Sequence, residues 1–252
     1  MSSVKSRFII SSGLIVLLVV VAVGAWSVVN VMKGRDSFSA AGQADASAAT
    51  LLSIDTANAG VSLKASSDSF VHVSASGKYT GSTPPKLTTS TVGATITVSQ
   101  SCSGDCDDFR LDISLPERLA VKVTTVDGGT TARGLAGSLE IRTRSGGIDL
   151  SDPSGPLALN STTGQILVAG ATSDRFEATT TGGEVRAAFR TAPTMANVTT
   201  GNGGVDLTLP SSGYYIQATS ANSNPKIDIP VDRKANHTVT VKTNNGGIDI
   251  HH

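Results

Sequence analysis

The chain has 252 residues with 20 basic and 20 acidic side chains; 39% of them are hydrophobic, only 4% aromatic and 16% charged, and 26 are glycine. Beyond residue 32 the balance is 18 basic to 20 acidic, which gives no long-range attraction for a polyanion and excludes nucleic-acid binding as a leading function. Abundant Ser, Thr, Gly and β-branched residues are poor helix formers and suit strands and turns. Their regular alternation, described below, argues against a disordered chain.

In chain order, residues 1–7 form a short tail carrying Lys5 and Arg7. From Phe8 to Met32 the chain reads FIISSGLIVLLVVVAVGAWSVVNVM without a charge, and roughly 20 apolar residues in a helix cross a hydrocarbon core of about 30 Å. The expectation is one transmembrane helix over 8–32, with Trp26 at an interfacial position and Lys5 and Arg7 holding the N-terminus in the cytoplasm. A cleaved signal peptide is the competing reading, because Val23–Gly24–Ala25 offers small residues after an apolar stretch. Either way the bulk of the chain is expected outside the cell. Residues 33–49 are small and polar, and read as a linker or a ragged first strand. A repetitive β domain is expected over 50–252.

That domain opens with LLSIDTANAGVSLKAS, residues 51–66. Alternation is looser over 67–120, where Phe70–Ala75, Ala94–Val98 and Phe109–Leu115 read as strands and Pro84, Pro85 and Pro116 as breaks or edges. The two cysteines, Cys102 and Cys106, lie in this region. An oxidising exterior would favour a local disulfide pinning a hairpin, and closing so short a loop places its contribution at the low end of roughly 2–4 kcal/mol. A redox-active pair is less compatible with a three-residue spacing and no helix start to lower a thiol pKa. No second pair of ligands completes a zinc site.

From residue 119 a unit recurs: alternating strand, Thr/Ser and Gly-rich turn, alternating strand. Its copies include SLEIRTRSGGIDL, LALNSTTGQILV, RFEATTTGGEVRA and TMANVTTGNGGVDL, and TVTVKTNNGGIDI repeats it after a gap wide enough for one less regular copy. Inward positions after the turn fall at Thr130, Ile148, Ile166, Val185 and Val205, and those before it at Val121, Leu139, Leu157 and Phe176. The turn glycines keep step at Gly128–Gly129, Gly146–Gly147, Gly164, Gly182–Gly183, Gly203–Gly204 and Gly246–Gly247. Tight reversals requiring positive φ would explain them. In the fourth copy, TTGGEV has a glycine more than TTGQIL, which reads as a one-residue insertion at the turn. A repeat of 18–20 residues cannot bury its own apolar face, so successive copies must stack. A β-solenoid satisfies this, with strands pairing in parallel from rung to rung. A meander or sandwich of hairpins remains open, since its turns would use the same glycines.

Residues able to carry chemistry are few. His72 and His237 stand on alternating strands and are expected to face solvent; His251 and His252 end the chain. The column after the first inner residue reads Thr131, Asp149, Leu167, Arg186 and Asp206, without the paired carboxylates that polysaccharide cleavage requires. Tyr214 and Tyr215 read either as exposed contact residues or as an end-cap of the stack.

The units SLEIRTRSGGIDL, NSTTGQILV, EATTTGGEV and VTTGNGGVDL resemble the repeats of the bacterial DUF4097 adhesin-like family, which extends to LiaG-like envelope proteins. The resemblance covers roughly residues 50–250 and rests on repetition of [TS]-x-[TS]-G-G-x-[IV]. It implies a solenoid-like or stacked-sheet fold behind a membrane helix, and brings no catalytic residues, cofactors or metals. The expected function is a membrane-anchored surface module, single-pass and extracytoplasmic in bulk, contacting the membrane through its helix and a cell-wall polymer or another envelope protein through its β domain. An envelope-stress accessory acting on a signalling partner is the alternative, and a polysaccharide-active enzyme is the remote one. Nothing in the sequence sets the oligomeric state.

Overall fold

The computed structural model describes residues 14–21, 25–32, 36–80, 83–102 and 106–252, the first two stretches by backbone alone. Its strands, in chain order, begin with β1 (Leu14–Val21), β2 (Ala25–Met32), β3 (Ser37–Asp45), β4 (Leu51–Thr56), β5 (Gly60–Ser66), β6 (Phe70–Tyr79), β7 (Lys86–Val92), β8 (Thr95–Ser101) and β9 (Cys106–Pro116). The repeats then supply β10 (Ala120–Thr125), β11 (Thr130–Arg133), β12 (Leu139–Thr143), β13 (Ile148–Ser151), β14 (Leu157–Ser161), β15 (Ile166–Ala171), β16 (Arg175–Thr180), β17 (Val185–Phe189), β18 (Met195–Thr200) and β19 (Val205–Thr208). The chain closes with β20 (Tyr214–Ser220), β21 (Lys226–Ile227), β22 (His237–Thr243) and β23 (Ile248–His251).

Each repeat is a two-armed rung. Its first arm joins a short sheet ordered β20-β22-β18-β16-β14-β12-β10-β4-β8-β7, and its second a long sheet ordered β1-β2-β3-β6-β9-β5-β11-β13-β15-β17-β19-β23-β21. Pairing from rung to rung is parallel and in register: Val121 lies opposite Leu139, Leu139 opposite Leu157 and Leu157 opposite Phe176 in one sheet, while Thr130, Ile148, Ile166, Val185, Val205 and Ile248 succeed one another in the other. This is a β-solenoid. Arms of one hairpin would pair with each other, whereas β10 and β11 belong to different sheets, so a meander is excluded.

The core lies between the sheets. Period-2 alternation turns two aliphatic side chains per arm inward, and Leu139, Ile141, Ile148 and Leu150 of one rung are all essentially inaccessible. Full burial of each such side chain is worth about 1.5–3 kcal/mol, and neighbouring rungs supply the cover that no single rung has. Where Phe176 enters a column, Ala178, Ala187 and Ala196 are its small neighbours, and it meets Phe189 edge to face at 5.4 Å.

At both ends of the stack the chain order is broken. β8 and β9 lie outside β4 and β5, so the chain returns past its first rung before building β10 and β11 beyond it. At the other end β22 and β23 dock on β18 and β19, and the less regular copy, β20 and β21, is outermost. Beyond β9 the long sheet continues antiparallel through β6 and β3, and β3 lies against β7 of the short sheet. Two parallel arrays thus end in an antiparallel plug.

The apolar segment departs from expectation. Where a transmembrane helix was expected over 8–32, the chain runs as β1 and β2, paired antiparallel with Leu14 opposite Met32 and Val21 opposite Ala25, and β2 continues onto β3. No α-helix occurs among the described residues, and none is long and apolar enough to cross a membrane. The physical reason is compositional: Ile15, Val16, Val19, Val20, Val21, Val28, Val29 and Val31 are β-branched and favour the extended backbone, and β3 offers them a sheet edge. The single-pass anchor, the membrane contact through that helix, and the cytoplasmic N-terminus with an extracytoplasmic bulk lose their basis with it. The tail 1–7, residues 8–13 and 22 of the expected helix, residues 23–24 of the suggested cleavage site and residues 33–35 of the linker lie outside the described residues. The rest of the linker is largely β3, which alternates between exposed and buried positions along its whole length.

Candidate functional site

The solenoid has two edges, two outer faces and two ends, and each can be examined for chemistry. At the turn edge, where the chain passes from the short sheet to the long one, residues at or near the ends of the first arms form one ladder in register, buried except at Ser220: Gln100, Thr56, Thr125, Thr143, Ser161, Thr180, Thr200, Thr243 and Ser220. In most rungs this hydroxyl does two jobs. It accepts the N–H of the glycine three residues on, as from Gly146 to Thr143 at 3.0 Å, Gly164 to Ser161 at 2.9 Å and Gly183 to Thr180 at 3.0 Å. It also donates to the turn-glycine carbonyl of the rung before, as from Ser161 to Gly146 at 3.1 Å and Thr180 to Gly164 at 3.2 Å. Thr200 instead donates to Gly203 of its own turn at 2.6 Å.

The glycines of this ladder are Gly128, Gly146, Gly164, Gly183, Gly203 and Gly246, and none has a positive φ. Positive φ was the wrong reason for them. A Cβ on Gly146 would stand 2.0 Å from the carbonyl oxygen of Gly128, and one on Gly183 2.0 Å from that of Gly164. Contact between rung backbones is what requires glycine. The following position, Gly129, Gly147, Gly204 and Gly247, carries Gln165 and Glu184 in other rungs, and its glycines meet nothing closer than 3.4 Å. Gly182 therefore aligns with Thr163, and the fourth turn has no insertion: nine residues separate Leu157 from Ile166 and Phe176 from Val185 alike. The extra residue lies in the preceding rung, in β15, whose register against β17 slips between Val168 and Ala171 around Gly170, at φ +68°.

The other expected positions are structural. Cys102 at the end of the β7–β8 hairpin and Cys106 at the start of β9 are joined as a disulfide, their Cα atoms 6.5 Å apart; residues 103–105 lie outside the described residues. Tyr214 does not reach the surface as a contact residue. It is fully buried beneath the last rungs, its hydroxyl donates to the Pro210 carbonyl at 2.9 Å, burial raises its pKa, and its ring lies 5.7 Å from that of His237. Tyr215 is half-buried and accepts from Gln217 Nε2 at 2.9 Å. His237 is half-buried rather than solvent-facing, with Nδ1 2.9 Å from the Pro193 carbonyl. His72 is more open and pairs with Asp68 at 2.8 Å, which lowers the pKa of Asp68.

On the outer face of the long sheet the strands place Ser74, Asp112, Ser62, Thr131, Asp149, Leu167, Arg186, Asp206 and Asp249 side by side in one transverse row. Hydroxyl, apolar and basic residues separate the acids of this row except at its end, where Asp206 and Asp249 are register neighbours; there Arg186 and His251 pair with Asp206 and Lys226 with Asp249, so both carboxylates are engaged in ion pairs. Among the described residues no three His, Cys, Asp or Glu side chains converge on a metal position. His251 sets Nε2 3.0 Å from Asp206 and Nδ1 3.0 Å from the His252 carbonyl, which engages both ring nitrogens and leaves neither to act as a base. First the His252 carbonyl and then Asp206 raise its pKa.

The repeat chemistry has a counterpart among known proteins. The Toastrack DUF4097 signature matches residues 120–251, just over half of the chain. The chain belongs to the DUF4097 family. The match covers the rungs from β10 to β23, the region carrying the hydroxyl–glycine ladder. No curated protein matches the chain. Among solved structures it is similar to a candidate adhesin of Bacteroides fragilis at 12% identity and TM-score 0.47, covering 84% of this chain and 96% of that one. It is also similar to a candidate cell-adhesion protein of Clostridium sporogenes at 11% and 0.35, covering 84% and 98%. A candidate lipid-binding protein of Parabacteroides distasonis matches at 11% and 0.36, covering 85% and 96%. Likenesses this distant carry no functional argument. The DUF4097 chain is an all-β module of stacked repeats.

Proposed function

We propose that this DUF4097 protein works as a contact module that holds an extended polar partner, a cell-wall polymer or another envelope protein, along the outer face of its long sheet. The observation that supports this is how the charges on that face are used. Toward the β23 end they are satisfied internally: Arg186 pairs with Glu184 at 2.8 Å and Asp206 at 3.4 Å, and Lys226 with Asp228 at 2.8 Å and Asp249 at 3.3 Å. Around β9, β5, β11 and β13, Arg110, Asp112, Lys64, Arg133 and Asp149 are exposed, and among the described residues none of them makes an ion pair. Open depressions of about 570 and 460 Å³ lie over this half of the face, lined by short side chains such as Ala41, Ser74, Ser62 and Thr131. A shallow surface of small residues with unspent charge at its borders suits a long partner contacted at many points.

The test is retention of the full chain on isolated cell-wall polymer and on envelope protein, with the products assayed for cleavage. Retention without release of fragments is the expected result. Failure to be retained on either, or release of reducing ends from the polymer, defeats the proposal.

A further inference from the structure

The free charges on the long sheet are not evenly spread. Lys64 on β5 and Arg133 on β11 are register partners on adjacent parallel strands, about 4.8 Å apart in backbone, and both point outward. Like charges directly opposite one another destabilise a sheet. Other basic side chains on the outer faces do have an acid beside them: Lys122 and Arg142 share Glu140 on the short sheet, and Arg190 reaches across Gly170 to Asp152. At Lys64 and Arg133 the flanking positions in register are Ser114 and Ser151. The acids next to them, Asp112 and Asp149, lie one row away along the strands and pair with neither. The pair also stands where two depressions adjoin. One of about 300 Å³ is lined by Ser62, Lys64, Thr131, Arg133 and Ser151, with the Asp149 carboxylate at its border. The other, of about 570 Å³, shares Ser62 and Lys64 and continues past Ser114 and His72 to Gln43.

We propose that Lys64 and Arg133, with the hydroxyls of Ser62 and Ser151 around them, hold a phosphodiester of an anionic polymer laid across the strands. This deepens the contact-module reading and rests on it. Lys64 brings an ammonium, Arg133 a guanidinium fork, and Ser62 and Ser151 hydroxyls, more donors than the roughly four lone-pair sites of a carboxylate accept, whereas each of the two unesterified oxygens of a phosphodiester accepts up to about three from a tetrahedral centre. Asp112 and Asp149 in the next row oppose a doubly charged phosphate monoester, whereas a diester carries a single charge. The hydroxyl-rich depression beyond Lys64 offers hydrogen bonds to the polyol that continues such a chain. Attraction is local, through two side chains, and needs no net positive charge on the protein.

The test titrates the full chain with poly(glycerol phosphate), with polyglutamate and with neutral dextran, at fixed salt. Wild-type protein is expected to bind the phosphate polymer, to bind polyglutamate more weakly and to ignore dextran. Lys64→Gln with Arg133→Gln should weaken the phosphate complex at least about tenfold while leaving the melting temperature unchanged or raised, because a repulsion is removed. Asp149→Asn should bind at least as tightly as wild type, and Lys122→Gln with Arg142→Gln on the other sheet should bind as wild type does. Unchanged affinity in the double variant, polyglutamate bound as tightly as the phosphate polymer, or weaker binding by Asp149→Asn would overturn the assignment. A double variant still retained on isolated wall polymer removes this site and leaves the contact-module reading standing, while wild type that is retained on nothing removes both.

Discussion

The two edges of the solenoid obey different rules. On the turn edge every rung from β10 to β19, and again β22 to β23, spends nine residues between matching inner positions, Val121 to Thr130 at one end and Val239 to Ile248 at the other. On the return edge the interval is nine from Thr130 to Leu139 and from Ile148 to Leu157, then ten from Ile166 to Phe176 and eleven from Val185 to Ala196. From Val205 the chain makes the whole outer copy before reaching Val239. The two shortest returns also bring backbones together, since a Cβ on Gly137 would stand 2.1 Å from the Leu119 carbonyl and one on Gly155 2.2 Å from that of Gly137. The returns over 172–174 and 190–194 contain no glycine and are free of that constraint. The hydroxyl–glycine ladder of the turn edge admits one length; the return edge, which buries one residue per rung such as Leu135, Pro153 or Ser173 but repeats no such ladder, admits several.

Five variants, compared by their unfolding, would break or sharpen this contrast. The largest effect belongs to Gly146→Ala, whose methyl would collide with the Gly128 carbonyl and should cost more than about 4 kcal/mol in urea unfolding. Gly147→Ala, with nothing nearer than 3.5 Å, should be neutral or gain up to about 1 kcal/mol through the unfolded chain. Equal losses at both positions would show that the ladder is not what demands glycine. Next comes Thr180→Val, which keeps the shape but strands the Gly183 N–H and the Gly164 carbonyl; about 2–3 kcal/mol should be lost. Thr130→Val reverses the sign. Thr130 is buried in a column of Ile and Val, with a hydroxyl that has no partner, so the substitution should stabilise by about 1 kcal/mol. Two residues inserted after Thr191 on the return edge should cost less than about 1 kcal/mol, and a loss as large as that of Thr180→Val would erase the distinction between edges.

The smallest effect is electrostatic. His251 has its pKa raised above 6.5 in the folded chain, first by the His252 carbonyl and then by Asp206. A raised folded value means the protonated form is the stabilised one. Its contribution is complete below the unfolded pKa and fades as pH rises through the folded one. Melting curves should therefore show wild type more stable relative to His251→Gln at pH 5.5 than at pH 8.5, by a margin that high salt reduces because the pair is exposed to solvent. A margin that grows with pH would contradict the assignment.

Much of the stack was legible because the relevant interactions have a fixed stride. Alternation named the inner columns, and Leu139, Ile141, Ile148 and Leu150 are buried where the pattern puts them. The ladder is written in the sequence as Thr/Ser followed three residues later by Gly, but the Gly–Gly pairs mask it, since the second glycine of Gly182–Gly183 and the first of Gly146–Gly147 hold the same place in the stack. The return edge and the bulge at Gly170 have no stride to read. The Lys64–Arg133 pair was invisible for a related reason: 69 residues separate the two, and β8 and β9 intervene in the chain without intervening in the sheet.

By itself the sequence determined that the chain beyond residue 50 is all-β, that its copies must stack, and which side chains go inside, because side-chain alternation and the cost of exposing apolar surface act residue by residue. Tertiary structure decided what depends on a neighbour. It made the uncharged segment β1 and β2 beside β3, since apolar length cannot tell a helix from a strand where a sheet edge is on offer. It also set which rung lies beside which at the two ends, and replaced backbone conformation by backbone contact as the reason for glycine, because both follow from distances between residues that the chain does not place side by side.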